Sequence, residues 1–400
     1  MQSKNVALSF LGLGPRDGYG LTRYQFENGS CETSLMPHAV NEVIQPDELI
    51  VVGTEESNAK YREALSKNCS FTSLKVPSGR SEKEWWQVFD TITDAIPENA
   101  NLTIDITHGF RSLPVIALSI ALYLEAARNV NVAGILYAPY NRQAPETTPV
   151  IDLTPFLDMI EWSVAARQFV RDGNADVLAS MMIEAQNEAH KRGDPNPPRQ
   201  IKSAGKQLKT FTDALSVVRA EEVTAERVET LVDTLDAIQD EVDERPRLRP
   251  LDALLEQVKV RVRPMQTTNL YDARGFAAQA EMMHFFLDTN QVQQAVTLAR
   301  EALISHKAVE MGLDPAPVVR DVWEGSGRDR AREALVELAS DSKREGEAKM
   351  LGDLWSKLGE VRNDINHAGM RVNPVEGKKL ASAAQNVVEE VTTHITSSST

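Results

Sequence analysis

Leu102-Thr103-Ile104-Asp105-Ile106-Thr107-His108-Gly109-Phe110-Arg111-Ser112-Leu113-Pro114 reads as a strand, a polar turn and the opening of a helix. The run 102–106 alternates apolar and short polar residues rich in β-formers. Gly109 and its polar neighbours break it, and Pro114 suits a first helical turn, where its missing N–H is not needed. That predicts a helix over 114–128. A strand passing through a short turn into a helix is half of a crossover unit, and repeated units of this kind build parallel sheets.

The units repeat on both sides of this stretch. Further strands are expected at 6–11, 49–52, 71–76, 132–136 and 150–153, with helices at 82–95 and from Ser57 or Asn58 onward. Runs 22–26 and 31–36 flank Glu27-Asn28-Gly29-Ser30, and Asn-Gly between β-formers signals a hairpin. Residues 1–155 are therefore expected to form an α/β, Rossmann-like domain with a mostly parallel, doubly wound sheet. Beyond Pro155 strand signals nearly vanish and apolar residues recur at helical spacing. Helices are expected at 156–173, 175–191, 200–218, 225–242, 251–262, 273–288, 291–311, 329–340, 349–358 and 374–393. This all-α half divides into a helical connector, 156–285, and a C-terminal helical domain, 286–400, with loop breaks at 193–198 and 245–250.

Composition bounds the function classes. With 42% apolar and 25% charged residues the chain reads as a globular protein of two or three domains. A net charge of −15 argues against a surface that coats nucleic acid, although it leaves room for a local phosphate site. The apolar run 113–124 is too short to span a bilayer, and Cys31 and Cys69 have neither metal spacing nor disulfide framework. The expectation is a cytoplasmic protein without membrane contact, metal or cofactor.

In an open parallel sheet, ligands bind outside the carboxyl ends of the strands. Gly12-Leu13-Gly14 after the first strand permits close backbone approach, and Gly53-Thr54-Glu55-Glu56 follows another strand. The turn 107–111 offers amides at a helix start together with Thr107, His108 and Arg111, the last able to grip a phosphate bidentately. The dinucleotide pattern Gly-x-Gly-x-x-Gly is broken by Asp17. The plainer alternatives are a structural turn for His108 and a surface ion pair for Arg111. The string 105–114 resembles the second ligand motif of CARF domains in CRISPR-associated proteins of type III systems, and the loop after the first strand, the hairpin and the Gly-Thr-Glu turn resemble the same family. The resemblance covers about 1–155 and implies a dimeric sensor of cyclic oligoadenylate, the tetra- or hexa-adenylate. It also implies that Gly12, Gly14, Thr54, Glu55, Thr107, His108, Gly109 and Arg111 hold the ligand.

Late in the chain, Arg362-Asn363-Asp364-Ile365-Asn366-His367 places a cation, an amide and an imidazole within six positions. Such a set can cleave RNA without metal: the cation stabilises charge on the scissile phosphate while the imidazole moves protons during attack by the 2′-hydroxyl. The alternative is a helix-terminal ion pair plus a packed histidine. The segment resembles the Arg-x4–6-His motif of HEPN ribonucleases, which implies Arg362, Asn363 and His367 as catalytic residues acting on single-stranded RNA. Residues five apart sit about 140° apart around a helix, so Arg362 and His367 need an irregular helix end or a second subunit. The resemblance implies the latter, in a homodimer or higher oligomer. Helix 291–311 also carries Glu301, a possible supporting group, and His306, read as a surface or interface residue; His284 is read as packing. The leading expectation is a cyclic-oligoadenylate-activated endoribonuclease of type III CRISPR antiviral defence. Its alternatives are a non-catalytic ligand-binding regulator acting on a partner protein or DNA, and an enzyme working in the Rossmann-like half, where Thr107 and His108 could slowly cleave the cyclic ligand.

Overall fold

The computed structural model describes residues 3–109, 112–191, 193–243, 248–317, 323–370 and 372–397. The chain separates into two compact units, Met1–Ile160 and Glu161–Thr400.

In the first unit the order is β1 (Asn5–Leu11), β2 (Thr22–Phe26), β3 (Gly29–Thr33), α1 (Met36–Ile44), β4 (Glu48–Gly53), α2 (Glu55–Ser66), β5 (Thr72–Lys75), α3 (Glu82–Ala95), β6 (Asn101–His108), α4 (Leu113–Arg128), β7 (Asn131–Tyr137), β8 (Thr147–Pro149) and β9 (Ile151–Asp152). Six strands form a sheet in the order β5-β4-β1-β6-β7-β9, parallel except for β9. β3, β2 and β8 form a second, smaller sheet. Alternation along β1 explains the layers. Val6, Leu8 and Phe10 face α3 and α4, while Ala7 and Leu11 face α1 and α2. Both faces are therefore covered, as a parallel sheet requires.

Three local readings change. The expected strand 31–36 stops at Thr33, because Pro37 sits in the first turn of α1, a helix that the strand reading had concealed. The expected strand 150–153 shortens to β9, and an unexpected strand, β8, precedes it at 147–149 and joins the other sheet. Helix α2 starts two residues earlier than expected, because the Thr54 hydroxyl accepts the Ser57 N–H and caps it.

The second unit has helices and connecting loops and no strand among its described residues. It contains α5 (Thr154–Asp172, which crosses the division between units), α6 (Asp176–Lys191), α7 (Ile201–Ser216), α8 (Ala220–Glu222), α9 (Val228–Asp243), α10 (Arg249–Val262), α11 (Ala273–Asp288), α12 (Val292–Glu310), α13 (Gly327–Ser340), α14 (Gly346–Asn366) and α15 (Gly377–Ser397). A π-helical turn, Val223–Arg227, lies between α8 and α9 where one helix was expected. A buried apolar cluster runs from Trp162 through Phe211, Phe286 and Leu303 to Ile395. Helix α14 is much longer than the expected 349–358 and carries Arg362 and Asn363. No helix among the described residues is long and apolar enough to cross a membrane.

Candidate functional site

The register of the central strands lines up three loops. Leu11 is level with Gly53 on one side and with His108 on the other. The chain therefore leaves the sheet at Gly12, Thr54 and Gly109 in one row, along the edge that the sequence motifs mark. The Gly12 N–H donates to the His108 carbonyl at 2.6 Å, tying the first loop to β6. A Cβ on Gly12 would stand 2.8 Å from that carbonyl oxygen, and Gly14 has a φ of +65°. Gly12→Ala is thus expected to push β1 and β6 apart at their ends and to destabilise the protein by roughly 1–3 kcal/mol, read as a lower thermal midpoint. An unchanged midpoint would remove the close-approach argument.

Beneath this row lies a buried polar network. The Asp105 carboxylate, fully buried, accepts from the Ser9 hydroxyl and from the Thr107 N–H at 2.9 Å. The Thr107 hydroxyl accepts the Ala138 N–H at 3.0 Å, so β6 runs on through Thr107 and His108 instead of ending at Ile106. Burial pushes the Asp105 carboxyl up to about 6, while the bonds from Ser9 and Thr107 oppose the shift. Between about pH 4 and 6 the folded chain keeps a proton that the unfolded chain has lost. This group's contribution to stability is therefore full below pH 4 and declines as pH rises through about 6. Asp105→Asn should remove that decline relative to the wild type in urea titrations at pH 4.5 and 7; equal slopes would refute it.

His108 is part of the core. It is 6% exposed, its ring lies 3.7 Å from that of Tyr19 in a stacked arrangement, and its Nε2 accepts the Met36 N–H at 3.2 Å. Burial drives its imidazole down to about 4, against a backbone bond at Ser34 that favours the cation. His108 is thus neutral at neutral pH and braces the edge from behind. Tyr19 completes the brace: its hydroxyl donates to the Gly12 carbonyl at 3.0 Å. From α2, Tyr61 donates to the Leu13 carbonyl at 2.8 Å, and the exposed Lys60 ammonium donates to the Leu13 and Pro15 carbonyls at 3.0 Å each. Tyr140, following β7, packs over Gly20. Sequence reasoning missed Tyr19, Lys60, Tyr61 and Tyr140, because nothing in their spacing says that the loop folds back on them.

The other expected ligand residues divide. Gly14 and Gly109 lie on the row, and Thr54 is occupied as the cap of α2. Glu55 points to Lys75 at 3.0 Å on the surface. Arg111 lies outside the described residues.

In the helical unit, α14 is regular to Asn366 and His367 is its last, capping residue, with its N–H bonded to the Asn363 carbonyl at 3.0 Å. Ala368 and Gly369 then turn left-handed, φ 52° and 72°. The break comes after the histidine, so Arg362 and His367 keep about the 140° separation of a regular helix. Arg362 is half-buried, Asn363 and His367 are exposed, and none of their side chains bonds to another described residue. Buried Asp364 fixes the helix end by accepting the Val375 N–H at 3.1 Å. Glu301 is engaged elsewhere: it binds buried Arg328 at 2.6 Å and Arg300 at 2.8 Å. His306, expected at the surface, is 7% exposed and packs edge-on against His394 at 5.1 Å. The His284 side chain is 38% exposed and lies 3.4 Å from the Glu389 carboxylate, so it is a part-exposed polar contact more than a packing residue. Among the described residues no group of three or more His, Cys, Asp or Glu is arranged to hold a metal ion.

Comparison with known proteins adds a finding where the sequence reading had none. Residues 158–264 match the family model described as CRISPR-associated protein MJ1674, second domain. The helical middle of the chain resembles a CRISPR-associated domain. The curated CRISPR-associated protein MJ1674 of Methanocaldococcus jannaschii is 26% identical over 118 residues, which is 28% of this chain and 18% of that protein. The chain thus aligns with less than a fifth of that relative's length. Among solved structures, Enterococcus italicus Csm6 bound to cyclic hexa-2′-fluoro-hexa-dAMP aligns over 98% of this chain and 94% of its own, at a TM-score of 0.43 and 11% identity.

Proposed function

We propose that this protein is a CRISPR-associated endoribonuclease that needs no metal and is switched on by cyclic oligoadenylate. The observation that carries the reading is the end of α14. There Arg362, Asn363 and His367 stand uncommitted among the described residues, at a helix stop held by buried Asp364. The guanidinium would stabilise the anionic phosphorane and the imidazole would relay protons to and from the 2′- and 5′-oxygens. Their separation around one helix supports a site completed by the same motif of a second copy. The CRISPR-associated match at 158–264 supports the cellular context.

The row at Gly12, Thr54 and Gly109 is the proposed activator site. Backbone amides of Leu13 and Gly14 and the Lys60 ammonium would meet the phosphates, and exposed Tyr140 could stack on a base. Thr107 and His108 would act from behind, as residues that hold the row in place. A neutral, buried His108 is poorly suited to move protons, so the reading assigns no cleavage of the activator to it. The test is cleavage of end-labelled single-stranded RNA in EDTA, with and without cyclic tetra- or hexa-adenylate. Activator-dependent cleavage is expected. Binding of the cyclic ligand with no cleavage would instead favour a regulator acting through its helices on a partner.

A further inference from the structure

Beside the α14 end lies a depression of about 390 Å³, within the roughly 300–1,000 Å³ of small-molecule sites. Its apolar floor is Val292, Ile365, Leu380 and Ala381, and its wall is the amide side chains at the start of α12. No lining residue is charged, in a chain where 25% of residues are. Gln291 is engaged, donating to the Asp172 carbonyl at 3.3 Å. The side-chain amides of Gln293 and Gln294 bond to no other described residue. Ile365 lies three positions after Arg362 and shares its face of α14, while Asn363 and His367, two positions to either side, face the other way. The floor therefore adjoins the proposed phosphate-binding cation. At the opposite side Gly377 leads straight into exposed Lys378 and Lys379, the latter also 3.4 Å from Glu376.

We infer that this depression is a nucleobase subsite that sets the base preference of cleavage, an inference that rests on the ribonuclease reading. An apolar floor takes the face of a base, and free amides, each both donor and acceptor, read its edge. Cations at the rim suit the phosphates on either side. A larger cavity in the same unit, about 720 Å³ between α14 and α15, is lined by Glu347, Asp353, Glu389 and Glu390 against one lysine, Lys357, which is already paired with Glu390, so its wall is net negative and disfavours a nucleotide. The neutral depression has no such barrier.

The test uses the full chain with cyclic tetra- or hexa-adenylate and single-stranded RNAs differing only in the nucleotide at the cut. Wild-type protein is expected to favour one base class by about tenfold in kcat/KM, the scale set by leaving polar groups of a site unpaired. Gln294→Leu, which removes an edge-reading amide, and Leu380→Phe, which fills the floor, should level the preference through KM, with kcat on the best RNA kept. Cleavage with no base preference, or with the same preference in both variants, overturns the subsite and leaves the ribonuclease standing. No cleavage of any RNA by the wild type overturns the ribonuclease reading, and the subsite falls with it.

Discussion

His367→Ala is expected to lower RNA cleavage by about 10²–10⁴-fold, the usual contribution of a positioned acid–base group. Arg362→Ala should cost a comparable 10²–10³-fold, roughly the effect of removing one donor from a developing oxyanion. Neither change should weaken folding. His367 is exposed at a helix cap, and no side-chain bond of either residue to another described residue would be lost. The measurement is a rate of cleavage in EDTA at saturating activator, beside a thermal melt and a binding titration with the cyclic ligand. Wild-type rates in either variant would end the assignment. A collapsed melt in His367→Ala would show instead that the histidine holds the helix end.

The largest effect on stability is expected at Glu301. Arg328 is 8% exposed in its side chain, and its guanidinium donates to Glu301, to the Ser305 hydroxyl and to the Pro315 carbonyl. Glu301 itself is 48% exposed. The asymmetry decides which partner matters. Without Arg328 the carboxylate keeps Arg300 and meets water, but without Glu301 a buried cation keeps only two neutral acceptors. Breaking a buried pair from one side typically costs 3–5 kcal/mol, so Glu301→Ala should destabilise the protein by about 3 kcal/mol and Arg328→Met by less. Urea unfolding of the two variants compares them directly, and a larger loss in Arg328→Met would reverse the argument.

How far the sequence carried depended on whether the deciding contacts were local. The βα units announced themselves through alternation and turn chemistry, and α3 and α11 occupy the expected residues because Ser81 and Asp272 cap them through side chains three positions back. His108 was legible as a special residue but not as a buried one. Its burial depends on Met36 and Tyr19, which are distant in sequence. Helix α1 was hidden because its start, Met36-Pro37, directly follows Cys31–Leu35 and reads as the end of the same strand. At the other end the Arg-x4-His pattern was visible, whereas the tether from Asp364 to Val375 required the chain to turn back after Gly369. The stretch 158–264, a plain series of amphipathic helices by periodicity, drew its meaning only from its match to a CRISPR-associated domain.

The loop after β1 is anchored near both ends. Gly12 is sewn to β6, and Tyr19 is clamped between His108 and Tyr61, while Arg16 and Asp17 stand exposed at the tip. Those anchors belong to the sheet and to α2, so the tip is free to drift under selection without loosening the fold. A lineage could therefore retune what the edge recognises by exchanging two or three surface residues. Novelty in recognition would cost it little in stability, and the scaffold would record almost none of that history.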